Sequence, residues 1–398
     1  MYRRDLSAEL AAAAARMPIV TVVGPRQSGK TTLVRNVFPD HAYVSLERPD
    51  ERQAAIDDPL DFLDRFRGPV ILDEVQRTPD LLSYLQPRVD DDDRPGRYIL
   101  TGSNHLLLME RVSQTLAGRT EILELLPLSL AELFDRPALD RERLDVVEAE
   151  AVDPPNVELW EVVWRGLFPR IWDRDLPADR WLAGWIRTYV ERDLREVIRV
   201  SDLDAFQRFL RLCAGHTAQV LNLSQLAADT GITQPTAKAW LSALRAGFVV
   251  ATAPAHHASF RKRLRKRPRL HFLDTGVACA LLGIRDPNAL RVHPLRGPIF
   301  ESFVFAELTK AFTNRGREAP LYFWRDAAGH EVDIVVDLGD RLLPVEVKSA
   351  KTLASDALAG LEWWTGLENN PNVGGLLVHG GPRLESRRGY AIRPWWLR

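Results

Sequence analysis

Cysteine is nearly absent: two residues in a chain of 398, Cys213 and Cys279. Two thiols cannot build a disulfide framework, and neither sits in a metal-ligand spacing. That scarcity suits a reducing compartment. Long apolar runs are missing too, since none approaches the length needed to cross a bilayer. The opening Met1-Tyr2-Arg3-Arg4 leads into an alanine-rich amphipathic stretch rather than a signal sequence. The expectation is a cytoplasmic protein with no membrane partner. An excess of either charge is also lacking, with 53 basic residues against 54 acidic ones. Global charge therefore points to no partner, and only local clustering carries that information. The length is generous for one core and comfortable for two or three domains.

What is present is most specific near the start. Gly24-Pro25-Arg26-Gln27-Ser28-Gly29-Lys30-Thr31 fits G-x-x-x-x-G-K-[ST] at every fixed position. Before it, Ile19-Val20-Thr21-Val22-Val23 reads as a buried parallel strand. After it, Thr31-Thr32-Leu33-Val34-Arg35 continues as a helix. Strand, glycine loop and helix together aim backbone N–H groups at a polyphosphate. Residues Gly24 to Thr32 are candidates for holding ATP, with Lys30 on the β- and γ-phosphates and the Thr31 hydroxyl on Mg²⁺.

A second strand, Pro69-Val70-Ile71-Leu72-Asp73-Glu74, ends in two carboxylates. Asp73 is the expected Mg²⁺ partner, and Glu74 the base that orients and deprotonates the attacking water. Further strands read at Ala42–Leu46, Arg97–Thr101 and Glu121–Leu125. Ser103 and Asn104 follow the second of these, as γ-phosphate sensors or helix N-caps. Arg119 precedes the last strand and is a candidate arginine finger. Five parallel strands with helices between them predict a P-loop doubly wound α/β domain over residues 1–134.

Residues 135–204 read as a linker followed by a helical lid. Asp135 to Pro155 is rich in acids, arginine and proline, and 156–200 hold five of the eleven tryptophans. Trp160/Trp164 and Trp181/Trp185 are i, i+4 pairs, which points to a packed aromatic core. Residues 205–275 read as a winged helix. One helix opens at Leu223, Gly231-Ile232-Thr233 turns, and Gln234 to Ala246 forms the next helix. In that helix Thr236, Lys238 and Arg245 are expected outward, and Ala239, Leu241 and Leu244 inward. The run Arg261-Lys262-Arg263-Leu264-Arg265-Lys266-Arg267-Pro268-Arg269 has seven basic residues in nine. Its arginines and lysines are candidates for binding DNA phosphates; an acidic membrane or protein would satisfy the same electrostatics.

Near the C-terminus a strand, Glu331 to Val336, turns at 337–340 and returns as Leu342 to Lys348. Glu346 and Lys348 share one face of the return strand, opposite Val345 and Val347. Asp333 lies on the neighbouring strand and converges with them. Asp333 and Glu346 then form a hard-cation site for Mg²⁺, with Lys348 as the catalytic residue that activates or steadies the water.

These pieces in order resemble one family. GPRQSGKTTL, VILDEVQR, YILTGSN, TLAGR and PLSLAEL, then RWLAGWIRTYVERDLREV, FLDTGVACALLG, GHEVDIVVD and LPVEVKSAK are similar to prokaryotic AAA-like ATPases with an uncharacterised C-terminal domain of restriction-endonuclease-like type. The resemblance covers nearly the whole chain. It implies an ATPase fused to a DNA-binding-like region and an α/β nuclease-like domain, here 276–398. It also implies that Glu301 is the upstream acidic member of the C-terminal metal site, although Val332 stands where the nominal motif has proline. Arg192-Asp193 matches a family motif of unassigned role. Relatives of this kind complete their sites in trans, so a homo-oligomer is expected. The function so implied is Mg²⁺-dependent ATP hydrolysis coupled to work on DNA, with metal-dependent cleavage as an additional activity. An alternative is a non-nucleolytic signalling ATPase that holds and releases a protein partner.

Overall fold

The computed structural model describes residues 2–103, 115–140, 143–146, 153–189, 202–256, 267–326, 328–367 and 374–396. Asn104, Arg192-Asp193 and the basic residues 261–266 lie outside them.

The first sheet has five parallel strands: β1 (Ile19–Val23), β2 (Ala42–Ser45), β3 (Val70–Asp73), β4 (Tyr98–Gly102) and β5 (Thr120–Glu124). Their order is β2-β3-β4-β1-β5. β1 is an inner strand between β4 and β5 and is wholly buried, which is why its residues form an uninterrupted apolar run apart from Thr21. The period of two still decides which face each residue serves. Val20 and Val22 pack under the N-terminal helix Leu6–Ala14, against Leu6, Leu10 and Leu33. Ile19 and Val23 face the opposite layer, with Phe62, Leu81 and Leu85.

A second core gathers the helices Ala178–Thr188, Leu203–Gly215, Leu223–Thr230, Gln234–Ala246 and Thr275–Leu281. A three-stranded antiparallel sheet closes it: β6 (Gln219–Val220), β7 (Val250–Ala253) and β8 (Arg269–Phe272), in the order β6-β8-β7. Thr233 caps the helix Gln234–Ala246 by accepting from Thr236 N, and Gly231 ends the preceding helix at φ 82°. That helix buries Ala237, Trp240, Leu241, Ala243 and Leu244. Ala239, expected inward, is exposed, because Trp240 next to it takes the core position.

The third unit is a six-stranded mixed sheet, ordered β13-β14-β12-β11-β10-β9. Its strands are β9 (Leu321–Arg325), β10 (Glu331–Asp337), β11 (Leu342–Lys348), β12 (Leu376–His379), β13 (Glu385–Arg387) and β14 (Tyr390–Pro394). The long helix Arg296–Thr313 packs on it.

Residues 135–204 do not form a separate lid among the described residues. Trp160 and Val163 join the C-terminal core, whereas Phe168, Leu182 and Trp185 join the helical one. The tryptophan spacing therefore marks two contacts rather than one module. The units are also tied by polar contacts. Lys310, 1% exposed, donates to Leu128 O at 2.8 Å and pairs with Glu307 at 2.7 Å, while Glu307 accepts from Leu130 N at 2.8 Å. The chain beyond β7 pairs with edge strand β9 through His256 N to Phe323 O (2.6 Å) and Phe323 N to Pro254 O (3.1 Å).

Candidate nucleotide site and C-terminal carboxylate cluster

The loop after β1 is shaped by what glycine permits. At Gly24, φ is +155° and a Cβ would lie 2.1 Å from the carbonyl oxygen of Leu125. No larger residue fits there without moving β5's exit. Gly29, at φ 97°, precedes the helix Lys30–Val37. Lys30 is 5% exposed and donates to Gly24 O at 3.0 Å and Pro25 O at 2.9 Å, so its ammonium sits inside the curve of the loop. The Ser28 hydroxyl is buried without a hydrogen-bond partner among the described residues. Thr32 is exposed. Arg26 offers its backbone oxygen to Trp185 Nε1 at 3.3 Å, joining the loop to the helix Ala178–Thr188.

Asp73 ends β3 and collects hydroxyls from three directions. Thr31 donates to its two oxygens at 3.0 and 3.1 Å, Tyr43 of β2 donates at 2.8 Å, and Thr101 of β4 also donates. Sheet order explains the convergence, since β2 and β4 flank β3. Burial, and then the bond to Asp73, push the Tyr43 hydroxyl up to about 12, so it stays a donor at neutral pH. Glu74 follows in a left-handed conformation, φ 59° and ψ 45°. Such a conformation is costly for a non-glycine residue and needs surrounding support. Support comes from Glu74 N to Thr101 Oγ1 at 3.2 Å, from Ser103 Oγ donating to the carboxylate at 3.0 Å, and from Gln76, which binds that carboxylate and Ser103.

Four residues that sequence reasoning passed over belong here. Tyr43, Thr101 and Gln76 hold the two acids. Arg4, 8% exposed, donates to Ser28 O at 2.6 Å and Leu126 O at 2.7 Å and pairs with Glu132 at 3.0 Å. Thr101 alone left a signal, as a polar residue in the apolar strand after the acidic one. Arg119 lies elsewhere. β5 runs parallel to β1 with Thr120 opposite Ile19, so Arg119 stands at the end of the sheet away from the glycine loop. It donates there to Asp90 at 2.6 and 2.9 Å and does not reach its own chain's loop.

The glycine loop, the enclosed lysine, the unpartnered serine hydroxyl and the Thr31–Asp73 pair fit a nucleotide's phosphates with a divalent cation. The C-terminal cluster does not fit a metal. Glu301, Asp333 and Glu331 converge, but around the guanidinium of Arg269. Nη1 donates to Glu301 at 2.6 Å and to Asp333 O at 3.2 Å, and lies 3.8 Å from the Asp333 carboxylate; Nη2 pairs with Glu331. Glu346 pairs with Lys348 at 2.5 Å, and Asp333 accepts from Val347 N at 2.9 Å. Burial pushes the carboxyls of Glu301, Asp333 and Glu346 up, the last to about 7. No group of three or more His, Cys, Asp or Glu among the described residues is arranged to hold a metal. Glu301, Asp333 and Glu346, expected as ligands, and Lys348, expected at the metal's water, are thus held by each other and by Arg269. The expectation that Arg269 touches DNA is corrected too: it is 3% exposed and points inward, and Arg267 is exposed.

Sheet order, glycine loop and paired acids define an AAA-type P-loop ATPase domain. Residues 16–134 match the family model described as an AAA domain. Residues 156–288 and 296–396 match two models described as domains of unknown function, DUF8612 and DUF4143. Uncharacterized proteins of Mycobacterium bovis and Mycobacterium tuberculosis are each 32% identical over 354 residues, covering 88% of this chain and 74% of theirs. The chain belongs to their family. The Walker-type ATPase of Pyrococcus abyssi is a solved structure 17% identical, covering 70% of this chain and 94% of its own, with a TM-score of 0.43. No described helix is long and apolar enough to cross a membrane.

Proposed function

We propose that this chain hydrolyses ATP with Mg²⁺ and couples the cycle to DNA. The observation that carries the hydrolysis is the pair of acids at the tip of β3, each held differently. Asp73 is bound by three hydroxyls, one of them from the phosphate loop. Glu74 is turned to the tip of β4 and held by Ser103 and Gln76. A metal held by Thr31 and Asp73 would supply charge neutralisation at the transferring phosphoryl group. Lys30 would leave the Gly24 and Pro25 carbonyls for phosphate oxygens. Glu74, released from Ser103 and Gln76, would accept the proton of the attacking water. Arg119 is proposed to act on a neighbouring copy, since its own loop is out of reach.

Two features support DNA as partner. Helices Leu223–Thr230 and Gln234–Ala246 with the β7–β8 pair follow the order of a winged helix, and Gln234, Lys238, Ser242 and Arg245 form an exposed polar stripe. That stripe is suited to a major groove. The residues joining β7 to β8 include the basic run. The test is DNA binding and DNA-stimulated ATPase across a salt series. The comparison variant has Arg261, Lys262, Arg263, Arg265, Lys266 and Arg267 replaced by serine. We expect weaker binding to all sequences and a shallower salt slope, by up to about 0.9 per lost phosphate contact. An unchanged slope would remove this run as the DNA contact and favour a protein partner.

A further inference from the structure

We propose that Arg269 is the resident cation of the C-terminal carboxylate cluster, and that this domain is closed to divalent metal as long as the guanidinium is seated. Arg269 starts β8, a strand of the helical unit, yet its side chain crosses into the C-terminal unit and is 3% exposed. It meets Glu301 of the helix Arg296–Thr313 and Glu331 and Asp333 of β10, and lies over the Phe323 ring of β9 at 4.9 Å. A planar guanidinium with five donors can bind several carboxylates at once, which an ammonium cannot do in one plane. Those same carboxylates are the hard oxygen donors that Mg²⁺ or Mn²⁺ would need. Two cations cannot share that space. The fourth carboxylate, Glu346, is 7% exposed and keeps Oε2 without a hydrogen-bond partner among the described residues. Its other oxygen pairs with Lys348, whereas Glu301, Glu331 and Asp333 share Arg269, so removing Arg269 leaves strong demand for a replacement cation.

The consequence is a different job for the domain. With the arginine seated, the cluster locks β8 of the helical unit to the helix Arg296–Thr313 and to β10. It acts as a junction rather than a metal centre. The inference uses no part of the ATPase reading, and its test needs neither ATP nor DNA.

The probe is Mn²⁺ alone, followed by its electron-paramagnetic-resonance signal, added to the nucleotide-free full chain. Four proteins are compared: wild type, Asp333→Asn, Arg269→Met, and Arg269→Met with Asp333→Asn. Wild type and Asp333→Asn should bind Mn²⁺ alike. Arg269→Met should gain one Mn²⁺ per chain at least about ten-fold tighter than any binding in wild type, and adding Asp333→Asn should abolish the gain. Mn²⁺ should also raise the melting temperature of Arg269→Met and leave that of wild type unmoved. Wild-type binding that depends on Asp333 would overturn the proposal, and so would a folded Arg269→Met protein with no new site. Should Arg269→Met fail to fold, the comparison of wild type with Asp333→Asn still decides. Arg269→Lys, which keeps a cation, should gain no site; a gain there would also overturn the proposal.

Discussion

Two acidic sites in this chain look alike in sequence and differ in what faces them. At the tip of β3, Asp73 is surrounded by hydroxyls from Thr31, Tyr43 and Thr101. Hydroxyls satisfy a carboxylate without neutralising it, so its charge stays available to a cation from outside. In the C-terminal cluster, Glu301, Asp333 and Glu331 share a buried guanidinium that already occupies the space between them. Carboxylate count and spacing do not separate a metal site from an ion-pair junction. The residue that arrives between the acids does.

The largest expected effect tests whether the β3 pair performs chemistry. Lys30→Ala should abolish nucleotide binding. Glu74→Gln should keep it and lower kcat by about 10²–10⁴-fold, the usual worth of a positioned base. Wild-type turnover in Glu74→Gln, measured by phosphate release, would mean that the base lies elsewhere. Mixing inactive Lys30→Ala with inactive Arg119→Ala should restore part of the activity if Arg119 serves a neighbouring copy. No recovery in a mixture shown to co-assemble would confine Arg119 to its bond with Asp90.

A smaller effect probes the C-terminal cluster. Burial, with Asp333 next, holds the Glu346 carboxyl at about 7 against an ordinary 4.5. Between these values the folded chain keeps a proton that the unfolded chain has lost. Stability from this group is therefore full at low pH and falls as pH rises from 4.5 to 7. Glu346→Gln removes the titration, so it should gain on wild type across that window, by roughly 1 kcal/mol for each step of one in pH. Urea midpoints at the two ends check this. A constant difference between the proteins would show that Glu346 titrates normally.

The contrast also explains what was legible in the sequence. Each strand of the first sheet was readable because β-branched runs and the glycine motif are local signals, and the observed bounds differ by about one residue, as fraying ends do. The C-terminal hairpin was legible on the same grounds, with β10 and β11 close to their expected limits. Arg269 was not. Within its run it is one basic residue among seven, and a strand start turned it inward while Arg267 stayed exposed. Tyr43 and Arg4 were hidden for a related reason. Their partners are 30 residues away for Tyr43 and 24 and 122 for Arg4, and only sheet order brings them together.

The smallest predicted effect isolates one of the hydroxyls that distinguish the β3 site. Tyr43→Phe removes the donor to Asp73 Oδ2 and leaves Thr31 and Thr101 in place. The ring should keep its position, since the Arg35 guanidinium lies 4.7 Å from its centroid and a phenyl face attracts that cation as well. One neutral donor to a charged acceptor contributes roughly 1.5–3 kcal/mol at most, and less where two other donors remain. The expected outcome is a several-fold rise in the Mg²⁺ concentration that half-activates ATP hydrolysis, with kcat at saturating Mg²⁺ nearly unchanged. Because the hydroxyl is held at about 12, the ratio of variant to wild type should be flat from pH 6 to 9. A loss in kcat as large as that of Glu74→Gln would place Tyr43 at the reacting atoms. Tighter Mg²⁺ activation would mean that the hydroxyl competes with the cation for Asp73 rather than aiming the carboxylate at it.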